Sequence, residues 1–286
     1  MMQGVPHDPA QSRGGVWLVI PAFVALVVLF VVPLVRVLLL SCFDPGFTLE
    51  HFVHFFRQTV YSRILYNTVR MSCIATLASL CLGYAIAYVM SRSRPVVRLV
   101  LLAIVVLSFG ISLLLRVFSW SFILQRHGPV NWLLMWTGAT QTPLPLLHNE
   151  FSVLVGLTHI FTPYAVFPIY SMLVRTDPNL ERAARNLGAS RMQAFWRVTF
   201  PLSLPGVEAA GVLIFIMALG SFVTPALLGG RKEQMLSNVI QTQVTELLNW
   251  PFAAAMSLVL LAVTLLCVWV ASRSLGVDRL MGHDPS

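Results

Sequence analysis

The chain has 286 residues, of which 57% are hydrophobic and only 10% charged, with a net charge of +8 at neutral pH. Soluble domains usually carry about 25% charged residues, so this composition excludes an ordinary soluble domain and points to an integral membrane protein. The excess of 19 Lys+Arg over 11 Asp+Glu falls between long apolar runs, which makes it a topology signal rather than a nucleic-acid footprint.

In chain order, the polar stretch MMQGVPHDPAQSRGG precedes a first apolar run that is long enough to span and shows no cleavage site. A bilayer core needs about 20 apolar residues per helix. Six runs qualify, at roughly 16–40, 64–90, 99–124, 151–174, 206–229 and 252–272. Pro33, Pro163 and Pro168 interrupt two of them, which a bundle tolerates where neighbours satisfy the freed carbonyls. The expectation is an all-α membrane protein forming one domain over 1–286.

Even-numbered spans put both termini on one side. That side carries Arg92, Arg94, Arg98, Arg175, Arg182, Arg185, Arg191 and Arg197, with Arg13, Arg273 and Arg279 near the termini. The other carries Arg57, Arg63, Arg126, Arg231 and Lys232. The positive-inside rule therefore predicts that both termini are cytoplasmic. Cys42, Cys73, Cys81 and Cys267 lie far apart and read as free thiols.

Span two carries a stripe of small residues, Ser72, Ala75/Thr76, Ser79, Gly83 and Ala87, suited to close packing within this chain or against a second one. Arg36, Arg70 and Arg116 sit near outer ends of spans; anchoring at the surface is the ordinary reading, and for Arg116 a gate or pathway contact is the other. His159 in span four either lines a cavity or is a hydrogen-bonded buried histidine. Glu208 opens span five near the cytoplasm, where a nearby arginine would pair with it. Thr224-Pro225 should break span five in its outer third, with Ser221 one turn earlier; pathway-lining groups are expected there. Met235 to Leu248 reads as an interfacial amphipathic helix or a landing surface for a partner.

The loop 175–205 is the polar exception. Asp177-Pro178 gives an N-cap and first-turn proline. Leu180, Ala183, Ala184 and Leu187 recur on one helical face, Gly188 marks a left-handed stop, and Ser190 to Gln193 is a capping box. Two short amphipathic helices hinged at Gly188 are expected, either lying on anionic headgroups or fitting a groove on a cytoplasmic partner.

That loop resembles the EAA motif of bacterial ATP-binding-cassette importer permeases, on Arg182-Ala183-Ala184, Gly188, Val198 and Phe200-Pro201. It departs in one place: Arg182 occupies the glutamate position and Glu181 precedes it, leaving room for a salt bridge of opposite sense to the partner. Asn67-Thr68, Gly83 to Tyr88, Leu115-Arg116-Val117-Phe118-Ser119-Trp120 with Gly128 to Asn131, and Gly220 to Gly230 are similar to patterns of the polyamine-type permeases.

The resemblance implies a type I importer permease fold with six spans, in a bacterial inner membrane. It also implies partners: two copies of a cytoplasmic ATPase, a second permease and a periplasmic solute-binding protein. Glu181, Arg182, Ala183, Ala184, Gly188, Val198 and Pro201 would couple to the ATPase. Arg116, Trp120, His159, Ser221 and Thr224 are the pathway candidates. Related permeases carry aspartate at position 221, and with serine here no mid-span carboxylate replaces it; a small amine-bearing solute or zwitterion fits at least as well as a polyvalent cation.

There is no GxxxxGK[ST] loop, so ATP hydrolysis belongs to another chain and this one is not expected to be an enzyme. Neither GxSxG nor HExxH occurs, which leaves an intramembrane protease without its signature. His51 and His54 alone make a weak metal site, and no cofactor or nucleic acid is implied. A stand-alone secondary transporter or channel is the alternative, although neither inverted repeats nor mid-span carboxylates are evident.

Overall fold

The structure, a computed structural model, describes residues 11–43 and 46–274. The N-terminal stretch before residue 11 and the tail with Arg279 lie outside the described residues, as does the side chain of Arg13. Thirteen α-helices and one π-helical turn account for the described elements. Five helices are long and apolar enough to cross a membrane, and six if one bent pair counts as a span.

Long apolar runs become helices because lipid offers their peptide groups no other partner. α1 (Gln11–Cys42) packs chiefly on α13 (Trp250–Ser274), at the edge of the bundle. The centre is built from α3 (Thr59–Arg92), α7 (Glu150–Arg175) and α10 (Phe200–Leu219). The α3–α7 contact is the most extensive in the protein. The small stripe of span two faces inward here: Ser72, Ala75, Thr76, Ser79, Gly83 and Ala87 are all buried, so it serves packing within the chain. At Gly83 a Cβ would collide with the side chain of Ala165.

At the end of the bundle where α3 begins, α2 (Glu50–Arg57) buries Phe55. His54 stands edge-on to Phe252 at 5.1 Å, and among the described residues no three metal-ligating side chains converge. Arg70, expected to be a surface anchor, instead pairs with Glu150 at 2.6 Å and ties α3 to the start of α7.

The span expected at 99–124 is not one helix. α4 (Pro95–Gly110) and α5 (Leu113–Leu124) are bent by 101° with the following helix included, across extended residues Ile111 and Ser112. Phe109 fixes the end of α4 against Tyr164 at 4.9 Å, while α5 turns to pack between α7 and α11 (Val223–Leu228). α6 (Pro129–Trp136) follows.

The span expected at 206–229 is shifted as well. A second loop helix does not stop before it: α9 (Arg191–Ala194), the π turn Phe195–Thr199 and α10 form one run from Arg191 to Leu219. The wider turn relieves the clash that the ring of Pro201 would make with the carbonyl four residues earlier. The helix then breaks at Gly220 to Phe222, earlier than Thr224-Pro225, which falls in the first turn of α11.

The segment expected to lie at the interface forms α12 (Leu236–Thr245) and packs on α13 and α3 with Leu236 fully buried.

Candidate functional site: the polar loop and the broken helix

The polar loop 175–205 is built from local signals. The Asp177 side chain accepts the amide N–H of Asn179 at 2.9 Å and starts α8 (Pro178–Asn186). α8 ends at Gly188, whose φ of +93° is cheap only for glycine. Its amide and that of Ala189 close onto the carbonyls of Arg185 and Ala184 at 3.0 and 3.1 Å. Ser190 and Gln193 exchange the two bonds of a capping box, 3.2 and 2.9 Å, and start the long helix.

α8 has two unlike sides. Outward, Leu187 is 90% exposed, Leu180 and Ala183 are exposed, and Arg182 reaches only Asn179 of its own helix at 3.3 Å. Inward, Glu181 accepts the guanidinium of Arg92, the last residue of α3. The same carboxylate oxygen accepts Thr199 Oγ1 at 3.2 Å, from the π turn. Behind them lies a cavity of about 230 Å³ lined by Ser91, Arg92, Arg98, Asp177, Glu181 and Thr199 among others. Ala184 and Val198 are half-buried and Pro201 is exposed. Phe195 packs edge-on to Tyr84 and Tyr88 at 5.9 and 5.3 Å, and Tyr84 Oη meets Ser203 Oγ at 3.0 Å.

Among the pathway candidates, Arg116 lies in the first turn of α5, just past the bend, with its Nε enclosed and without a hydrogen-bond partner among the described residues. One turn on, Trp120 meets His159 edge-on at 5.6 Å; that histidine is exposed on the chain's surface rather than buried. Ser221 sits half-buried in the break. Thr224 stands apart from the open candidates: it is fully buried, and its methyl would lie 2.8 Å from a Cβ on Gly156.

Sequence reasoning missed the groups that hold the break together. Ser237 Oγ donates to the carbonyl of Ser221 at 2.5 Å, and Asn238 Nδ2 donates to that of Phe222 at 2.9 Å. Asn238 Oδ1 accepts the amide of Met235 at 3.1 Å, Thr68 Oγ1 accepts that of Leu236 at 2.8 Å, and Ser152 Oγ donates to the carbonyl of Leu228 at 2.7 Å. These polar side chains satisfy backbone groups at and around the break, which regular helix leaves without partners. Their signal was the polar content of Ser237-Asn238 after a glycine-rich run.

Glu208 was also misplaced. The long helix starts at Arg191 and α10 at Phe200, so Glu208 lies within the span and not at its mouth, and it makes no ion pair among the described residues.

Residues 79–273 match the family described as "Binding-protein-dependent transport system inner membrane component". The chain belongs to that family. It is a multi-pass membrane permease, a transport subunit and not an enzyme. It is 36% identical over 232 residues, 80% of this chain and 84% of the relative, to the spermidine/putrescine transport system permease protein PotB of Escherichia coli K12. PotB of Haemophilus influenzae is 35% identical, with 79% of each chain covered.

The fold matches that of a bacterial ABC transporter involved in import of the acidic polysaccharide alginate, with TM-score 0.75, 18% identity and coverage of 93% and 96% of the two chains. An inward-facing MetNI methionine transporter matches with TM-score 0.57, covering 76% of this chain and 94% of the other at 18% identity.

Proposed function

We propose that this permease serves an ATP-driven importer of a small amine-bearing organic solute, of the polyamine type carried by its PotB relatives. It works beside a second permease, above two copies of a cytoplasmic ATPase and below a periplasmic binding protein, with both of its own termini in the cytoplasm. Similarity to PotB over four-fifths of the chain supports the solute class.

One observation carries the coupling: α8 presents Leu180, Arg182 and Leu187 outward while Glu181 fastens its inner side to α3 and the π turn. Exposed aliphatic groups beside arginines suit a groove with an acidic rim on the ATPase. Closure of the ATPases would then displace α8 together with the long helix that follows it, switching the bundle between outward and inward access.

Affinity purification of this chain from its native membranes, with mass spectrometry of what co-elutes, tests the assembly. A Walker-motif ATPase and a second multi-span chain are expected. If the chain elutes alone and moves amines without ATP, the importer reading is wrong. Uptake of labelled putrescine and spermidine in vesicles containing the complex tests the solute class.

A further inference from the structure

Of the 11 acidic residues, Glu208 alone lies inside a membrane-spanning helix away from its ends, among the described residues. It stands eight residues beyond Phe200 and eleven before Leu219, about 12 Å and about 16 Å along the helix at the rise of an α-helix. Glu208 thus lies well inside the apolar run between Arg197 and Arg231 and not at its mouth.

Its direction follows from the packing of α10. Ser203, Gly206, Ala210 and Ile214 are buried on the side that meets α7 and α3. At Gly206 a Cβ would come within 2.7 Å of the Pro168 carbonyl oxygen, which pins that side to α7. Glu208 is two positions from both Gly206 and Ala210, about 200° round the helix from each. It therefore points away from this chain's own core and is only partly covered, with no hydrogen bond or ion pair among the described residues.

A lone carboxylate facing hydrocarbon is disfavoured, and intramembrane carboxylates face protein or a water-filled route. This face of α10 is therefore not a lipid face. The helix that carries Glu208 also runs unbroken from the loop proposed to take up the ATPase stroke, so the group shifts with the transport cycle.

We infer that Glu208 lines the solute route and receives an ammonium group of the solute inside the membrane. The inference rests on the amine-importer reading above. A carboxylate and an ammonium form a charge-assisted hydrogen bond, and a site within the membrane needs one such bond to bind and yet release its cargo. A cation on the second permease could instead occupy the same carboxylate, and the experiment separates the two.

The assembled importer, with its binding protein, is reconstituted in proteoliposomes, and ATP-driven uptake of labelled putrescine is followed for wild type, Glu208→Gln and Glu208→Asp. Native mass spectrometry reports whether the second permease stays bound. The expected result is an intact Glu208→Gln complex whose putrescine uptake falls about tenfold or more, the loss of one charge-assisted bond. Glu208→Asp, which keeps the charge, recovers most of that loss. Uptake by Glu208→Gln equal to wild type overturns the inference. So does a Glu208→Gln complex that sheds the second permease, because the carboxylate then serves assembly. If the wild-type complex carries no amine at all, the solute reading itself fails, and the inference falls with it before any variant is made.

Discussion

Arg92, the last residue of α3, donates to Glu181 of α8, and Thr199 of the π turn donates to the same carboxylate oxygen. One carboxylate thus ties two neighbouring elements of the loop, α8 and the π turn, to the end of α3, which lies 89 residues away in sequence. With the Arg92 side chain 44% exposed, the pair adds little to stability, on the order of 0–1 kcal/mol. Its value is geometric: it sets the angle at which α8 hangs from the bundle.

Reversing the pair tests that statement. Arg92→Glu sets two carboxylates against each other and should lower uptake per ATP hydrolysed by about tenfold with the protein still inserted. The double change Arg92→Glu, Glu181→Arg should restore uptake to within about threefold of wild type. A double variant no better than the single one would show that the pair does not position α8.

Gly188 gives a second expectation. A β-branched residue at its φ of +93° is strained by roughly 1–2 kcal/mol, enough to disorder a turn that only two short bonds hold. Gly188→Val should leave membrane insertion intact while the ATPase recovered with the purified permease falls severalfold. Normal recovery and normal uptake would remove the hinge from the account.

Asn238 offers a test of the break. Asn238→Leu would leave the Met235 amide unpaired, at a cost of about 1–3 kcal/mol, and would take one of two bonds from the Phe222 carbonyl, which keeps the amide of Ala226 at 3.1 Å. The detergent-purified protein should melt several degrees lower than wild type. Ser237→Ala, which frees only the Ser221 carbonyl, should melt between the two.

Ser221 allows a gain-of-function prediction. Placing a carboxylate in the half-buried break with Ser221→Asp should raise uptake of spermidine relative to putrescine by about threefold, since a second anion favours a more highly charged cation. Competition between the two amines in vesicles measures it. An unchanged ratio would mean that position 221 does not face the solute.

Much of the polar loop 175–205 was legible in the sequence because its signals are local. Asp177, Gly188 and the Ser190–Gln193 pair each act on backbone within four residues, and each does in the structure what its chemistry requires. The spans were legible as apolar runs but their limits were not. The bend at Ile111-Ser112 falls inside an uninterrupted apolar stretch, and what creates it is Phe109 seated on Tyr164 of another helix. The early start of span five was hidden because the segment after Ser190 reads as a separate short helix ahead of Pro201, whereas a π turn carries that helix on into the span. Misjudging that start also disguised the depth of Glu208. Thr68, Ser152 and Asn238 were passed over for a related reason: each satisfies backbone distant in sequence, and nothing in its own neighbourhood announces the partner.

The unbroken run from Arg191 to Leu219 has a mechanical meaning. Its 29 residues make a rod about 40 Å long, reaching from the polar loop to the gap at Gly220. A rod does not dissipate a push along its length. A shift of one or two ångströms imposed at Arg191 arrives almost undiminished at Gly220, where regular structure stops and a handful of side-chain hydrogen bonds hold the peptide groups. In the proposed importer, a stroke applied at Arg191 would be taken up at those few bonds.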